Sequence, residues 1–172
     1  ISVYDSMLES SLFDGPYVNW NKKGTQAIIT YFHHEPKWYW TKKLVEKRTL
    51  ISSDTAFEFK GLFEDTNGYL IYKYPKPAPG IYNGVNTIFC IGDIHGEYDK
   101  LLGLLMANKI IDQKGNWNFG QGHLVFHGDV VDRGDKVTEC LWLIYKLENQ
   151  AKAVGGRVHY LLGNHEVMLF ER

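Results

Sequence analysis

The sequence predicts an α/β fold, in which a βαβαβ unit with a parallel sheet follows a small, mostly antiparallel β module. Two observations indicate this organisation. The hydrophobic period changes from two to a helical spacing across residues 75–84, a stretch rich in proline. After that stretch, three short apolar runs alternate with two runs of helical periodicity, as expected when crossover helices join parallel strands and cover both faces of the sheet.

Residues 1–74 are rich in aromatic residues, and their apolar and polar residues mainly alternate, as in β-strands. Phe57 and Phe59 alternate with charged residues, "EDTNG" at 64–68 predicts a turn, and "YLIYKY" at 69–74 resumes as a strand. An Asn-Gly between two such runs is a strong hairpin signal. "YVNW", "NKKG" and "TQAIITYF" between 17 and 32 predict a second hairpin. This region is therefore predicted to be a small β-rich accessory module.

Residues 75–84 contain three of the five prolines and are predicted to be a linker. Residues 85–172 form the second predicted domain. Its strands are "TIFCI", "HLVFH" and "RVHYLL", and its helices are "EYDKLLGLLMANK" and "DKVTECLWLIYKLENQAKAV". Helical spacing in the longer helix places on one apolar face the residues Val137, Cys140, Leu141, Ile144 and Leu147. Gly155 and Gly156 are predicted to end this helix.

Charge and hydropathy exclude several classes of partner. Nineteen basic and twenty acidic residues give a formal net charge of −1, and without a Lys/Arg run nucleic acid is not an expected partner. No stretch approaches the roughly 18 consecutive apolar residues of a membrane span. The chain is therefore expected to be soluble. Its compartment stays open between the cytoplasm and export, since a removed signal would explain a first residue other than Met.

Two cysteines are too few for a disulfide framework. Cys90 lies within an apolar strand run, and Cys140 lies on the apolar face of the longer helix. Neither has the electropositive surroundings that lower the pKa of a thiol. Both are therefore expected to be small buried hydrophobic residues.

Chemistry-bearing residues follow each of the three predicted strands. "GDIHG" at 92–96, "GDVVDRG" at 128–134 and "GNHE" at 163–166 lie at the carboxyl ends of the strands, where ligands gather in open α/β sheets. Residues 96–127 lie between His95 and Gly128, and residues 134–162 lie between Arg133 and Gly163. Each interval fits one crossover unit of roughly 30 residues. The three segments are therefore expected to meet at one rim of the sheet.

The predicted rim offers a set of metal ligands without thiolates: Asp93, His95, Asp129 and Asn164. Oxygen and imidazole ligands of this kind suit Mn, Fe or Zn, with Mg also possible. Asp129, on the middle strand, is well placed to bridge two ions. Two divalent metal ions bound there could together lower the pKa of a shared water and stabilise an in-line phosphoryl displacement.

Three further residues of the rim are suited to phosphoryl chemistry. Arg133 carries a permanently charged fork that matches phosphate geometry. His165 could protonate a leaving oxygen, and Asp132 could orient its ring. Taken singly, each segment also reads as an ordinary turn or helix cap. Their joint occurrence in order, one crossover apart, favours a functional site.

These three motifs resemble those of the calcineurin-like metallophosphoesterases, and most closely the phosphoprotein phosphatase branch with its bacterial and phage members. The resemblance covers Val85 to the C-terminus. It implies a binuclear site in which Asp93, His95 and Asp129 bind one ion, while Asp129 and Asn164 help to bind the other. It also implies phosphate contacts from Arg133 and Asn164, and His165 as general acid supported by Asp132. Direct attack by metal-bound hydroxide, without a covalent phosphoenzyme, is the implied mechanism.

The sequence departs from this family pattern after "GNHE". The family completes its second metal site with two later histidines, whereas the sequence given stops at Arg172. His123, His127 and His159 are expected to be structural, and His33 and His34 to lie on a strand or turn of the first module. We therefore expect a fragment of a longer phosphatase, whose missing C-terminal segment supplies two histidine ligands. The 172 residues alone are expected to bind one metal poorly and to turn over slowly.

The leading functional hypothesis is a metal-dependent phosphomonoesterase acting on phosphorylated Ser, Thr or Tyr in proteins, or on a small phosphate ester. A dinucleoside polyphosphate hydrolase is the alternative within the same chemistry. A hypothesis of another class is a ligand-binding module, in which "WYW" at 38–40 and other aromatic residues recognise glycan or peptide. The simpler interpretation of these aromatics is that they fill a small β core.

Overall fold

The computed structural model describes residues 13–37, 40–51, 56–59, 69–72 and 77–171. The chain divides into two compact units, Ile1–Pro77 and Ala78–Arg172. The first unit contains antiparallel strands, and the second contains parallel strands that alternate with helices. The predicted α/β fold class is confirmed, while the assignment of residues 1–74, 75–84 and 85–172 as module, linker and catalytic domain stays a prediction.

The first unit contains a three-stranded antiparallel sheet with the order β1-β2-β3. Its strands are β1 (Phe13–Trp20), β2 (Gln26–Lys37) and β3 (Trp40–Ile51). The β1–β2 hairpin was predicted, and the Asn21 side chain closes its turn by accepting a 2.9 Å hydrogen bond from the Thr25 N–H. β3 was missed, because its many charged residues obscure the period-two pattern. His33 and His34 lie within β2, as expected.

A second hairpin of this unit pairs β4 (Ala56–Phe59) with β5 (Tyr69–Tyr72), and Phe57 lies opposite Ile71. The pairing confirms the hairpin predicted from the alternating aromatics. The predicted turn at 64–68 lies outside the described residues. Trp38 and Tyr39 of the "WYW" stretch also lie outside them, and Trp40 begins β3.

The second unit is the expected βαβαβ arrangement followed by one short helix. In chain order its elements are β6 (Ile88–Ile91), α1 (Tyr98–Ala107), β7 (His123–Phe126), α2 (Val137–Ala153), β8 (Arg157–Tyr160) and α3 (Asn164–Phe170). The strands are parallel in the order β6-β7-β8, with their last residues Ile91, Phe126 and Tyr160 in register. Among the described helices, none combines the length and apolarity that crossing a membrane requires.

The core of the second unit lies between one face of the parallel sheet and the helices. Leu124 and Phe126 of β7 are fully buried, together with the helical residues Leu101, Leu105, Cys140, Leu143 and Leu147. Burial of each large apolar side chain stabilises the fold by about 1.5–3 kcal/mol. The burial expected for Cys140 is confirmed, and Leu143 joins the predicted apolar face of α2.

The burial expected for Cys90 is wrong, because this side chain is exposed. Strand periodicity places Cys90 on the same sheet face as Ile88, which is 59% exposed. The neighbouring Ile91 projects to the other face and is 6% exposed. An apolar run predicted to be covered on both faces is therefore covered on one face in the described part of the chain.

Candidate metal and phosphate site

Backbone hydrogen bonds bring the three strand ends together at one rim. The N–H groups of Ile94 and His95 donate to the Asp129 carbonyl at 3.0 and 2.9 Å, and the Gly134 N–H donates to the His95 carbonyl at 2.9 Å. The third end joins them where the His165 N–H donates to Asp129 Oδ1 at 2.9 Å. The segments after β6, β7 and β8 thus form one connected surface.

Unusual backbone conformations concentrate at this rim. Among the described residues, five non-glycine residues have positive φ, and four of them belong to the motifs: His95 (49°), Asp129 (51°), Asp132 (71°) and Arg133 (68°). This region is uncommon for residues with a side chain and persists where surrounding contacts impose it. The rim is therefore a strained segment held by its neighbours, which is typical of functional sites.

Two glycines allow the turns after β7 and β8 to pass in direct contact. Gly128 has φ 95°, and a Cβ added to it would lie 2.5 Å from the Gly163 Cα. A Cβ added to Gly163 would touch Asp129 Oδ1 and lie 2.7 Å from the Asp129 nitrogen. A side chain at Gly163 would therefore displace Asp129, and one at Gly128 would displace the backbone at Gly163.

The His95 imidazole is oriented by a backbone carbonyl. Its Nδ1 lies 3.0 Å from the Val131 oxygen, and because a carbonyl only accepts, Nδ1 carries the proton in the neutral ring. Nε2 is then the ring nitrogen with a lone pair, and it lies 3.9 Å from Asp93 Oδ2. This arrangement, with one nitrogen bonded to a carbonyl, is usual for histidines that bind metals. The Asp93 side chain is 70% exposed.

His165 contacts Asp132, the residue predicted to orient its ring, and also Arg133, the residue predicted to bind phosphate. Its Nδ1 lies 3.1 Å from Asp132 Oδ2, and its Nε2 lies 3.4 Å from Arg133 Nη2. Because guanidinium only donates, Nδ1 carries the proton in this state and Nε2 accepts. The His165 ring packs edge-on against the His95 ring, with 4.7 Å between their centroids.

His95, Asp129 and His165 each offer one potential ligand atom, and these atoms lie within 4.8 Å of one another. A nitrogen and oxygen donor set of this kind fits a divalent transition metal. Asp93 lies at the edge of the cluster through its approach to His95. Asn164 is exposed at the first position of α3, next to His165. The structure thus brings the predicted residues to one place, and their assignment as ligands stays a prediction.

A cleft of about 640 Å³ opens beside this cluster. Asp93, His95 and Arg133 line one side, while α1 contributes Leu101 and Leu104. An ion pair between Lys100 Nζ and Glu97 Oε2 lies at its edge, with 3.0 Å between the two atoms. The cleft therefore combines charged groups suited to a phosphate with an apolar wall.

The residue whose importance the sequence prediction missed is Glu166. Its side chain is buried, with 2% exposed, and accepts hydrogen bonds from backbone N–H groups and from the Tyr160 hydroxyl. Burial alone would raise the pKa of this carboxyl. Hydrogen bonds from the Asp129 N–H and the Tyr160 hydroxyl outweigh that effect and lower the pKa to about 2. A Glu three residues after a helix N-cap is the available sequence signal.

Three histidines outside the rim lie where the prediction of structural roles placed them, on or beside strands. His123 Nδ1 and His159 Nε2 are 3.0 Å apart, the Tyr82 ring lies 5.1 Å from each imidazole centroid, and the Arg157 guanidinium lies 6.0 Å from the Tyr82 centroid. We call these four residues the imidazole cluster. Burial lowers the pKa of His159, and the charges of His123 and Arg157 lower it further. His127 is exposed just after β7.

Comparison with known proteins identifies the family. Residues 87–172 match the model of the calcineurin-like phosphoesterases. The chain belongs to this family, and the resemblance inferred from its three motifs is confirmed. Members of the family use divalent metals, which agrees with the cluster of His95, Asp129 and His165.

Three individual proteins similar to this chain are phosphatases or a related phosphohydrolase. The solved structure of a cold-active protein-tyrosine phosphatase from a psychrophilic Shewanella is 36% identical, with a TM-score of 0.67 over 91% of this chain and 44% of that one. Shewanella-like protein phosphatase 2 of Arabidopsis thaliana is 34% identical over 71% of this chain and 32% of its own length. A symmetrical bis(5'-nucleosyl)-tetraphosphatase of Actinobacillus pleuropneumoniae is 36% identical over 47% of this chain and 25% of its own. The chain thus spans less than half the length of these relatives.

Proposed function

We propose that this chain carries part of the active site of a divalent-metal phosphomonoesterase whose substrates are proteins phosphorylated on Ser, Thr or Tyr. The observation that carries the proposal is the convergence of His95, Asp129 and His165 within 4.8 Å at the carboxyl ends of the strands. Of these, His95 and Asp129 would bind metal, and His165 would stand beside them as the general acid. The phosphatase relatives support the substrate class, since they match over most of this chain.

In this proposal, Asp93, His95 and Asp129 bind one divalent ion, and Asp129 and Asn164 help to bind a second. Mn, Fe and Zn suit these ligands, and Mg, a chemically harder cation that prefers oxygen ligands, is the alternative. Bound ions would supply Lewis acidity and lower the pKa of water. The Val131 carbonyl holds the proton of the neutral His95 ring on Nδ1, which leaves Nε2 as the nitrogen that would bind metal. Two further histidine ligands from a longer protein stay a prediction.

Phosphate binding and proton transfer are assigned to Arg133, His165 and Asp132. The Arg133 guanidinium lies 3.4 Å from His165 Nε2, so a phosphate bound by Arg133 would place an ester oxygen within reach of that nitrogen. Once Nε2 has released its contact with Arg133 and taken up a proton from solvent, the imidazolium would pass that proton to the leaving oxygen and return to the neutral ring. Asp132, bonded to Nδ1 at 3.1 Å, stabilises the imidazolium before transfer and keeps the ring aimed at the oxygen. Asn164 adds a phosphate contact in this arrangement.

Hydrolysis of p-nitrophenyl phosphate and Mn²⁺ binding by electron paramagnetic resonance test the proposal. We expect weak but Mn²⁺-dependent turnover by the 172-residue chain. Asp129→Asn should lower Mn²⁺ affinity at least about tenfold, and His165→Asn should lower the turnover number by about 10²-fold or more with metal binding retained. His127→Asn, at an exposed imidazole outside the cluster, is the matched control. Turnover without metal, or equal effects of all three substitutions, would reject the proposal.

A dinucleoside polyphosphate hydrolase is the second candidate, and the match to the bis(5'-nucleosyl)-tetraphosphatase favours it. Both reactions need the same metal and phosphate groups, so substrates must separate them. Parallel assays with phosphoserine, phosphothreonine and phosphotyrosine peptides and with diadenosine tetraphosphate decide the matter. Preference for the dinucleotide by kcat/KM would replace the protein phosphatase assignment while leaving the metal site intact.

A further inference from the structure

The Glu166 carboxylate provides several of the hydrogen bonds that join the second and third strand ends. Oε2 accepts hydrogen bonds from the N–H groups of Asp129 at 2.7 Å and Gly163 at 2.8 Å. Oε1 accepts from Val130 at 2.9 Å, from Val131 at 3.2 Å and from the Tyr160 hydroxyl at 2.8 Å. One carboxylate therefore accepts from three consecutive peptide groups of the turn after β7.

These three peptide groups begin the segment that carries Asp129, Asp132 and Arg133, all of which have positive φ. A strained segment of this kind keeps its conformation only while outside contacts hold it. The Asp129 and Val130 carbonyls also accept the N–H groups of Ile94, His95 and Gly96. Movement of the turn after β7 would therefore also move the first motif.

Glu166 itself is not placed to contact a substrate or an ion. A carboxylate has about four lone-pair directions, and five donors already surround this one. Its side chain is 2% exposed. Its contribution to the site is therefore indirect, through the peptide groups that it holds.

We propose that Glu166, supported by the hydrogen bond from the Tyr160 hydroxyl, is a positioning residue. It holds the turn 129–131 in the conformation required for metal and phosphate binding. The proposal rests on the proposed function for the identity of what is bound. It assigns to the last residue of "GNHE" a role distinct from those of its neighbours. Loss of the carboxylate should loosen the turn locally and weaken metal binding, even where the fold is kept.

Glu166→Gln tests the idea, because the amide NH₂ group cannot accept and must face backbone donors. Hydrogen–deuterium exchange should show the amides of 129–131 exchanging at least about tenfold faster, with little change in the β7 amides. Mn²⁺ affinity should fall about 10–100-fold, the usual effect of removing a group that supports a metal ligand. Tyr160→Phe removes one of the five donors and should shift both measurements in the same direction by less.

Leu147→Ala is the control for general destabilisation, because it opens a cavity in the core under α2, where Leu147 is fully buried. It should accelerate exchange throughout the unit and leave Mn²⁺ affinity unchanged. Identical exchange patterns in Glu166→Gln and Leu147→Ala, or unchanged exchange at 129–131 in both Glu166→Gln and Tyr160→Phe, would overturn the proposal. A wild-type chain that binds no Mn²⁺ would refute the proposed metal site instead, and the exchange pattern would still decide the role of Glu166.

Discussion

Gly163→Ala adds one methyl group where the turn after β8 passes the turn after β7. The new Cβ would touch Asp129 Oδ1 and lie 2.7 Å from the Asp129 nitrogen and 2.8 Å from its Cγ. Gly163 has φ −88° and ψ −175°, an extended conformation that alanine adopts without strain. The expected penalty is therefore entirely steric.

The size of this penalty follows from how firmly Asp129 is held. Its N–H donates to Glu166 Oε2 at 2.7 Å, and its Oδ1 accepts from the His165 N–H at 2.9 Å. Relief of the clash must break or stretch one of these bonds. Overpacking of this kind costs about 1–3 kcal/mol, and we expect a loss in the upper part of that range for the free energy of unfolding. Displacement of the Asp129 carboxylate should also lower Mn²⁺ affinity by about tenfold or more.

Urea denaturation followed by circular dichroism at 222 nm measures the loss, and Mn²⁺ titration measures the effect on the site. Gly103→Ala is the matched control, since nothing lies within 4 Å of a Cβ at this position in α1. That substitution should raise the free energy of unfolding by about 0.5–1 kcal/mol. If Gly163→Ala unfolds at the wild-type urea concentration and binds Mn²⁺ normally, the packing argument for this turn fails.

Three further predictions concern groups away from the rim. Because the folded state lowers the pKa of His159, the unfolded chain binds more protons below about pH 6.5, so the free energy of unfolding should rise with pH up to that value and then level off. His159→Gln should flatten this rise in urea titrations between pH 5 and 8, and an unchanged slope would contradict the role given to the imidazole cluster. At pH 8 a disulfide reagent should label the exposed Cys90 quickly. It should label Cys140 only after unfolding, because burial raises the pKa of the Cys140 thiol to about 12. Equal labelling rates of the two thiols would contradict the burial of Cys140. Asp99→Asn removes the 2.7 Å ion pair with Lys136 and should cost at most about 1 kcal/mol, less in 1 M NaCl, so a larger, salt-independent loss would point to another role for Asp99.

Much of the second unit could be predicted because its pattern is local and redundant. Apolar runs ending in "GDIHG", "GDVVDRG" and "GNHE" each indicate a strand followed by polar residues. Two intervals of crossover length then place all three ends on the same edge, since parallel strands share one direction. The contact between His165 and Asp132, separated by 33 residues, follows from that geometry.

The missed features depend on three-dimensional information that the sequence pattern does not carry. Which face of β6 is covered depends on where the helices pack, so the run containing Cys90 read as buried on both sides. The contact between His123 and His159 requires the register of β7 and β8, in which His159 lies beside Val125. Glu166 acts through hydrogen bonds to backbone N–H groups, and nearly every residue has such a group, so the sequence does not show which ones it contacts. The one sequence signal for its role is its position three residues after Gly163, the N-cap of α3.

The links between the first two motifs have a consequence for how the protein can vary among its relatives. At Ile94, His95 and Gly96 the bonding group is the peptide nitrogen, and at Asp129 and Val130 it is the peptide oxygen. Every amino acid supplies that oxygen, and every one except proline supplies that nitrogen. A saturating substitution library should therefore exclude proline at position 94 while accepting several apolar residues there. Natural selection can then change the identity of Ile94 without altering the relative placement of His95 and Asp129.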